Sequence, residues 1–151
     1  MRPRALSLFS GIGGLDLGVE AAGFEVVAQS EVDPYASRVL ARHWPTTPNL
    51  GDITTITEAT LAEANIGPVD LVFGGFPCQD LSHAGKQAGI HAGRSGLFFE
   101  LMRVVRLVRP RYVLLENVPA LLSGERGRWF GAVLGELAES GFDAEWDCIP
   151  A

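Results

Sequence analysis

Short apolar runs alternate along this chain with segments in which apolar residues recur every three or four positions. The run at 5–9 stops at a glycine cluster, and after it Leu15, Val19 and Ala22 share one face of a helix. Asp33-Pro34 is a typical helix start, with Asp as N-cap and Pro in the first position. The pattern as a whole predicts strands at 5–9, 24–30, 69–73, 112–115 and 144–149, and helices at 15–22, 34–43, 57–65, 97–108 and 129–140.

This alternation indicates an α/β fold. Several predicted strands are continuous apolar runs, which are typical of a parallel sheet covered by helices on both faces. The sequence contains no linker, repeat or low-complexity segment, so we expect one domain over residues 1–151. Open parallel sheets bind ligands beyond the carboxyl ends of their strands, so residues 10–14, Glu31, 74–79 and 116–117 are the first candidates for function.

Composition excludes several classes of protein. With 47% hydrophobic and 20% charged residues, and no period in its 18 Gly and 9 Pro, the chain is neither collagen-like nor a coiled coil. No apolar run reaches the roughly 18 residues of a membrane span, and the basic N-terminus lacks a secretory cleavage site, so we expect a soluble, cytoplasmic protein with no membrane partner. Cys78 and Cys148 are expected to be reduced thiols, with Cys148 a small core residue, and the three His residues do not have the spacing of metal ligands.

The net charge of −6 hides a basic middle of the chain. Residues 1–77 carry four Arg against nine acidic residues, whereas residues 78–128 carry seven Arg and one Lys against four acidic residues. Four of these Arg residues need no function if they only cover the solvent-facing side of one helix and its exit. They are Arg103, Arg106, Arg109 and Arg111. Lys86 and Arg94 stand in a glycine-rich loop, where that explanation does not apply.

The glycine cluster after the first strand resembles a dinucleotide-binding turn in its position. Gly11, Gly13 and Gly14 allow a sharp turn that approaches an adenosine-type ligand, and Glu31, about 20 residues further on, can hold ribose hydroxyls. The spacing G-x-G-G is not G-x-G-x-x-G, so a plain strand-to-helix turn stays an alternative. Asp52 adds a carboxylate at the same edge or only caps a turn.

Cys78 is not placed like a core residue, because it follows Pro77 at the end of a buried strand. A thiol near Lys86 and Arg94 at a strand end is a candidate nucleophile. Glu116 follows the next apolar strand, which predicts a partly desolvated carboxyl group able to hold or deliver a proton. Together, the two residues favour catalysis.

Five segments resemble the ordered motifs of the DNA cytosine-5 methyltransferases. They are 9–14 (FSGIGG), 31–33 (EVD), 51–53 (GDI), 75–79 (GFPCQ) and 116–118 (ENV). The similarity covers nearly the whole chain and implies a Rossmann-like fold that binds S-adenosylmethionine, with Glu31 on the ribose. The residues it places at the cofactor are Phe9, Gly11, Gly14, Glu31, Asp52, Ile53, Gly75, Pro77 and Leu97. One departure is Val32, where relatives often have a bulkier side chain against the adenine.

The resemblance also implies the reaction. Cys78 adds to carbon 6 of a flipped cytosine in DNA while Glu116 acts at ring nitrogen 3, so that carbon 5 becomes able to accept a methyl group. No metal is needed. The loop at 79–95 is expected to clamp the DNA, through the residues Gln79, Ser82, Lys86 and Arg94. The corresponding biological role is restriction-modification or protection of phage DNA.

Family members continue with a target-recognition region and a C-terminal segment that this sequence does not show. The chain is therefore expected to be the N-terminal part of the catalytic, cofactor-binding domain, truncated or completed by a second chain. Three alternatives stay open: an inactive fragment or split-enzyme subunit, an RNA cytosine-5 methyltransferase, and, remotely, an NAD-binding oxidoreductase that would leave Cys78 unused.

Overall fold

The computed structural model of the protein describes residues 1–77 and 96–150. Five of the predicted site residues lie outside this described part, namely Cys78, Gln79, Ser82, Lys86 and Arg94. The described chain divides into two compact units. The first comprises Met1–Phe76 and Arg103–Glu116, and the second comprises Pro77–Met102 and Asn117–Ala151.

The first unit contains a four-stranded sheet. Its strands are β1 (Arg4–Leu8), β2 (Glu25–Ser30), β3 (Leu71–Gly75) and β4 (Tyr112–Glu116), in the order β2-β1-β3-β4. All the pairings between them are parallel, which confirms the predicted α/β fold. Parallel pairing brings the carboxyl ends of the strands to one edge of the sheet, where ligands bind in such folds.

The helices agree closely with the periodicity of the sequence. They are α1 (Gly14–Ala21), α2 (Pro34–His43), α3 (Glu58–Glu63), α4 (Leu97–Val108), α5 (Ala120–Ser123) and α6 (Arg128–Glu139), with 3-10 turns at Ile53–Thr55 and Gly124–Gly127. The predicted start of α2 is confirmed, because the Asp33 carboxylate accepts a hydrogen bond from the Ala36 amide at 2.8 Å. Thr57 caps α3 in the same way through the Thr60 amide. The four-residue α5 was not predicted, since a single turn shows no periodicity.

The centre of the sheet is buried and its β4 edge is not. Four consecutive residues of β1, from Ala5 to Leu8, are at most 1% exposed, so β1 is covered on both faces. Ala5 packs in a cluster with Val19, Val26, Leu71 and Phe73. In β4, by contrast, Tyr112 and Leu114 are 50% and 46% exposed. A strand that is paired on one side only keeps much of its surface in solvent.

The predicted last strand at 144–149 is wrong. Residues 142–150 are described and form no strand, and Trp146 and Ile149 are largely exposed within this segment. Acidic and apolar residues do alternate there, but a strand is stable only when it pairs with neighbours. Within the second unit, the Trp146 ring instead contacts Phe130 edge to face, with 5.1 Å between ring centroids.

No helix in residues 1–77 and 96–150 has the length and apolar character that crossing a membrane requires.

Candidate functional site

A cleft of about 280 Å³ opens at the carboxyl edge of the sheet in the first unit. Its walls come from the end of β1, the glycine turn that follows, and the ends of β3 and β4. Five residues predicted from the sequence line it, namely Phe9, Gly11, Gly14, Gly75 and Glu116. The strand ends therefore bring together residues that are more than 100 positions apart in the sequence.

Glycine stands at positions 11 and 13 of the turn for two different physical reasons. Gly13 has φ +90°, and a Cβ there would overlap the ring of Trp44, so this position is glycine because α2 packs against it. The Trp44 indole N–H donates to the Glu20 carboxylate at 2.9 Å, which fixes the ring. Gly11 also has a positive φ of +55°, but the space beside it is open among the described residues. Gly11 thus presents bare backbone to the cleft.

Phe9 enters the turn with a left-handed backbone. Its φ is +53°, a conformation that bulky residues rarely adopt and that costs on the order of 1–3 kcal/mol. Such strain persists only where the surrounding structure holds it, and it is concentrated at functional sites. Here the amide of the next residue, Ser10, donates to the Ser30 carbonyl at 3.1 Å and thereby ties the turn to β2.

A buried carboxylate lies beneath the turn. Asp16 is 0% exposed and accepts hydrogen bonds from the Ser7 hydroxyl at 3.0 Å and from the Gln29 amide at 2.8 Å. Burial raises the pKa of Asp16 above its ordinary value, although the two hydrogen bonds act in the opposite direction. No motif or spacing pointed to Asp16, because one acidic residue in the first turn of a helix is common.

Glu31 leaves β2 and is held in place by backbone amides. Its two carboxylate oxygens accept hydrogen bonds from the Gly11 amide at 2.7 Å and from the Asp33 amide at 2.8 Å. The contact with Gly11 connects Glu31 to the cleft lining. Carboxylate oxygens accept more than one hydrogen bond each, so this side chain can also accept from ligand hydroxyls.

Asn49 joins the loop after α2 to the end of β2, a role that the sequence analysis missed. Its side-chain oxygen accepts from the amides of Glu31 and Gly51, both at 3.0 Å, and its side-chain nitrogen donates to the Glu31 carbonyl at 3.0 Å. The Ser30 hydroxyl donates to the Gly51 carbonyl at 2.7 Å. The segment directly before Asp52 is thus fixed to the sheet.

Asp52 and Ile53 begin a 3-10 turn and do not line the cleft. One Asp52 oxygen accepts from the amide and the hydroxyl of Thr54, at 2.9 and 2.8 Å. These hydrogen bonds hold the pKa of Asp52 below its ordinary value. Asp52 is exposed, and its second carboxylate oxygen takes no part in these two hydrogen bonds. Ile53 is buried.

Arg103 holds this same turn from α4. Its guanidinium donates to the Ile56 carbonyl at 2.7 Å and to the Ile53 carbonyl at 2.8 Å. The interpretation of Arg103 as part of a solvent-facing helix surface is therefore wrong, because the side chain is half-buried and bridges two carbonyls 50 and 47 positions away. Arg106, Arg109 and Arg111 are all exposed, as a solvent-facing helix surface and its exit require.

Glu116 ends β4 directly opposite Gly75, the last residue of β3, in the parallel register. Its side chain is exposed, so the expected desolvation of this carboxyl group is wrong. The apolar residues before it do not bury it, because β4 is an edge strand among the described residues. Pro77 and Leu97 belong to the second unit, where Pro77 is exposed and Leu97 begins α4.

Cys148 is exposed, so the expectation that it is a core residue is wrong. It lies in the C-terminal segment that does not form the predicted strand. Within the described part of the chain, no group of three or more His, Cys, Asp or Glu side chains has the arrangement of a metal site.

Comparison with known proteins agrees with this architecture. The family model for C-5 cytosine-specific DNA methylases matches residues 4–151. The Type II methyltransferase M.AquIA of Picosynechococcus sp. is 40% identical over 143 residues, which are 92% of this chain and 58% of M.AquIA. The Type II methyltransferase M2.BsuMI of Bacillus subtilis is 39% identical over 152 residues, or 98% of this chain and 37% of M2.BsuMI.

A solved structure has the same fold. A DNMT2 variant of Spodoptera frugiperda superposes with a TM-score of 0.64 and 28% identity, over 89% of this chain and 41% of the DNMT2 chain. In all three comparisons the chain therefore spans between about two fifths and three fifths of the matched protein's length.

Proposed function

This chain belongs to the family of C-5 cytosine-specific DNA methylases, and from that premise we propose that it carries the cofactor site and the chemical step of a DNA cytosine-5 methyltransferase. One observation supports this most strongly. Gly75 and Glu116 are paired at the ends of adjacent parallel strands, and Cys78 follows Gly75 by three positions in the sequence.

The cleft has the features that S-adenosylmethionine requires. Gly11 and Gly14 leave open space beside the backbone, and the exposed amide edge of a glycine turn lets a ligand approach closely. Glu31 offers a carboxylate, already oriented by two amides, for the ribose hydroxyls. Asp52 and Ile53 are proposed to contact the adenine. The proposed set is completed by Phe9, Gly75, Pro77 and Leu97.

The protein residues prepare cytosine for methylation. The Cys78 thiolate forms a bond to carbon 6, and Glu116 donates a proton or hydrogen bond to nitrogen 3, so that electron density develops at carbon 5. S-adenosylmethionine, when bound, supplies the electrophilic methyl group. A base then removes the carbon 5 proton, and Cys78 leaves as the carbon 5–carbon 6 double bond is restored.

The target base must leave the duplex to reach Cys78, which costs a few kcal/mol. Gln79, Ser82, Lys86 and Arg94 follow Cys78 closely in the sequence and suit contacts to the DNA backbone, because they combine hydrogen-bond donors with two positive charges. Since the matched relatives are Type II methyltransferases, we place the enzyme in restriction-modification or in protection of phage DNA.

The choice of target sequence is a separate task. The chain spans 58% and 37% of the two curated relatives, so we assign recognition of the target to polypeptide that corresponds to the rest of their length. That polypeptide is either part of the same chain or a second chain that acts as a partner. Direct readout of base edges needs such an additional element.

The decisive experiment replaces the two cysteines separately. With the full enzyme or the completing partner present, Cys78→Ala abolishes methyl transfer and covalent trapping on DNA that contains 5-fluorocytosine, because Cys78 is the thiol proposed to bond to carbon 6. Cys148 is the matched control, since it is exposed and lies in the C-terminal segment. Cys148→Ala leaves transfer and trapping intact.

Equal loss in both variants would contradict the assignment of Cys78. Transfer to RNA but not to DNA of the same sequence would contradict the proposed substrate and leave the chemistry unchanged.

A further inference from the structure

We propose that Gly75 is a positioning residue for Glu116: the absence of a side chain at Gly75 leaves the space in which the Glu116 carboxyl group lies. The inference rests on the proposed function, because it concerns the carboxyl group that acts on the cytosine ring. It assigns to Gly75 a role other than contact with the cofactor.

The contact geometry carries the proposal. A Cβ built on Gly75 would lie 2.6 Å from Oε2 of Glu116, 3.7 Å from its Cδ and 3.8 Å from its backbone oxygen. Among the described residues, all three nearest atoms thus belong to Glu116. The register explains this, since paired residues of adjacent parallel strands point to the same face of the sheet and lie about 5 Å apart.

The backbone does not require glycine at this position. Gly75 is absent from the residues with positive φ in the described chain, so an alanine could adopt the same backbone conformation. The reason for glycine is therefore volume. The preceding residue, Gly74, has a different reason, because a Cβ there would overlap the Leu8 carbonyl group of β1.

Substitutions at these two neighbouring glycines are therefore expected to have different effects, on the sheet at Gly74 and on the position of Glu116 at Gly75. At Gly74 the obstacle is backbone of the central strand, which cannot move without opening the β1–β3 pairing. At Gly75 the obstacle is the end of an exposed and flexible side chain, which can turn away. A methyl group at Gly75 leaves the sheet intact and moves the Glu116 carboxyl group by about 0.8 Å, since a Cβ 2.6 Å from Oε2 must reach an ordinary contact of about 3.4 Å.

A displacement of this size matters for catalysis and little for stability. A misplacement of about 1 Å in a reacting group can lower a rate by roughly 10²-fold. We therefore expect Gly75→Ala to lower kcat by one to two orders of magnitude and to leave the KM for S-adenosylmethionine within about twofold.

The first part of the test needs no catalysis. Thermal unfolding of Gly75→Ala stays within a few degrees of the wild type, whereas Gly74→Ala unfolds at a clearly lower temperature. A crystal structure of Gly75→Ala shows the Glu116 carboxyl group moved away from the new methyl group. A carboxyl group in its original place, or a collapse of stability equal to that of Gly74→Ala, overturns the proposal.

The second part measures methyl transfer by the protein at its full natural length. In a Glu116→Ala background, Gly75→Ala causes no further loss of kcat, because the group that it displaces is already gone. Gly18→Ala is the matched control, since a Cβ at this helical position meets only open space among the described residues, and it leaves the rate unchanged.

The same loss of rate with and without the Glu116 side chain overturns the proposal, as does a raised KM for the cofactor with unchanged kcat. If the wild type itself transfers no methyl group to cytosine, the proposed function fails, and the stability and crystal-structure measurements still decide whether Gly75 positions Glu116.

Discussion

The two carboxylates of the proposed site follow β2 and end β4, and their surroundings in the described structure differ. Glu31, after β2, takes part in five hydrogen bonds through its amide, carbonyl and carboxylate, with Gly11, Asp33, Ser37 and Asn49. Glu116, at the end of β4, is exposed beside a glycine on an edge strand.

This difference agrees with the two roles proposed for these carboxylates, which are binding the cofactor and acting on the target base. A group that binds a ligand in one fixed pose benefits from being oriented in advance, because less conformational freedom is lost on binding. A group that meets a base only after the base has left the duplex must stay accessible until that moment. Hydrogen bonds of the fold therefore fix the carboxylate after β2, whereas the space beside Gly75 is proposed to position the carboxyl group at the end of β4.

The largest effect is expected at Glu116. Glu116→Gln keeps the size of the side chain but removes its ability to donate a proton in the neutral form, so methyl transfer slows by about 10²-fold or more, with cofactor affinity unchanged. Single-turnover transfer and equilibrium binding of S-adenosylmethionine measure the two quantities. Glu31→Gln is the matched control, and it weakens cofactor binding more than it slows transfer. If both variants changed the transfer rate and the cofactor affinity in the same way, the proposed difference in role between Glu31 and Glu116 would be contradicted.

A smaller effect is expected at Arg103, which holds the turn that contains Ile53. Arg103→Met removes two hydrogen bonds to the carbonyls of Ile53 and Ile56, both residues being buried, and lowers the free energy of unfolding by about 2 kcal/mol. Urea unfolding measures this loss. The control is Arg42→Met, at an exposed position in the last turn of α2, which changes stability by about 0.5 kcal/mol or less. Equal losses at the two positions would mean that Arg103 is only a surface residue.

The smallest effect is a pH dependence at Asp16. Its pKa is raised in the folded state, so the stability from its neutral form is fully present below about pH 3.9, the ordinary pKa of Asp, and is lost as the pH rises through the folded value. Asp16→Asn removes this loss and therefore gains stability relative to the wild type as the pH rises from about 4 to 7.

Urea unfolding at several pH values measures the difference. Asp16→Leu separates charge from hydrogen bonding, because it leaves Ser7 and Gln29 without their acceptor and is less stable than Asp16→Asn by about 1–3 kcal/mol at every pH. A stability difference between wild type and Asp16→Asn that stays flat over this range would contradict the pKa direction.

Periodicity in the sequence was sufficient to predict the sheet and the major helices, since the strands at Arg4–Leu8 and Leu71–Gly75 are continuous apolar runs next to glycines. A local signal also identified Asp33 as a cap, because a cap depends on residues within three positions. The strand predicted at 144–149 was wrong for the opposite reason. A strand forms only with a partner strand that is distant in the sequence, and local alternation contains no information about that partner.

The residues of the candidate site also differ in whether local sequence signals could identify them. Motif spacing selected Gly11, Gly75 and Glu116, and the fold brings all three to one cleft. Arg103 and Asn49 were missed because Arg103 bonds residues 47 and 50 positions away and Asn49 bonds Glu31 18 positions away. Nothing in a single sequence connects those positions. Exposure of Glu116 was also unpredictable, since it follows from the position of β4 in the strand order.

The packing of Trp44 over Gly13 has an evolutionary consequence. Because a Cβ on Gly13 would occupy the volume of the Trp44 ring, these positions cannot change independently, although 31 residues separate them. A larger residue in the turn becomes tolerable only after the tryptophan has shrunk, and a shrunken tryptophan leaves a void over the turn until a larger residue fills it. Each route between the two solutions passes through a less stable intermediate. The glycine turn is therefore protected from drift by a side chain that does not line the cleft among the described residues.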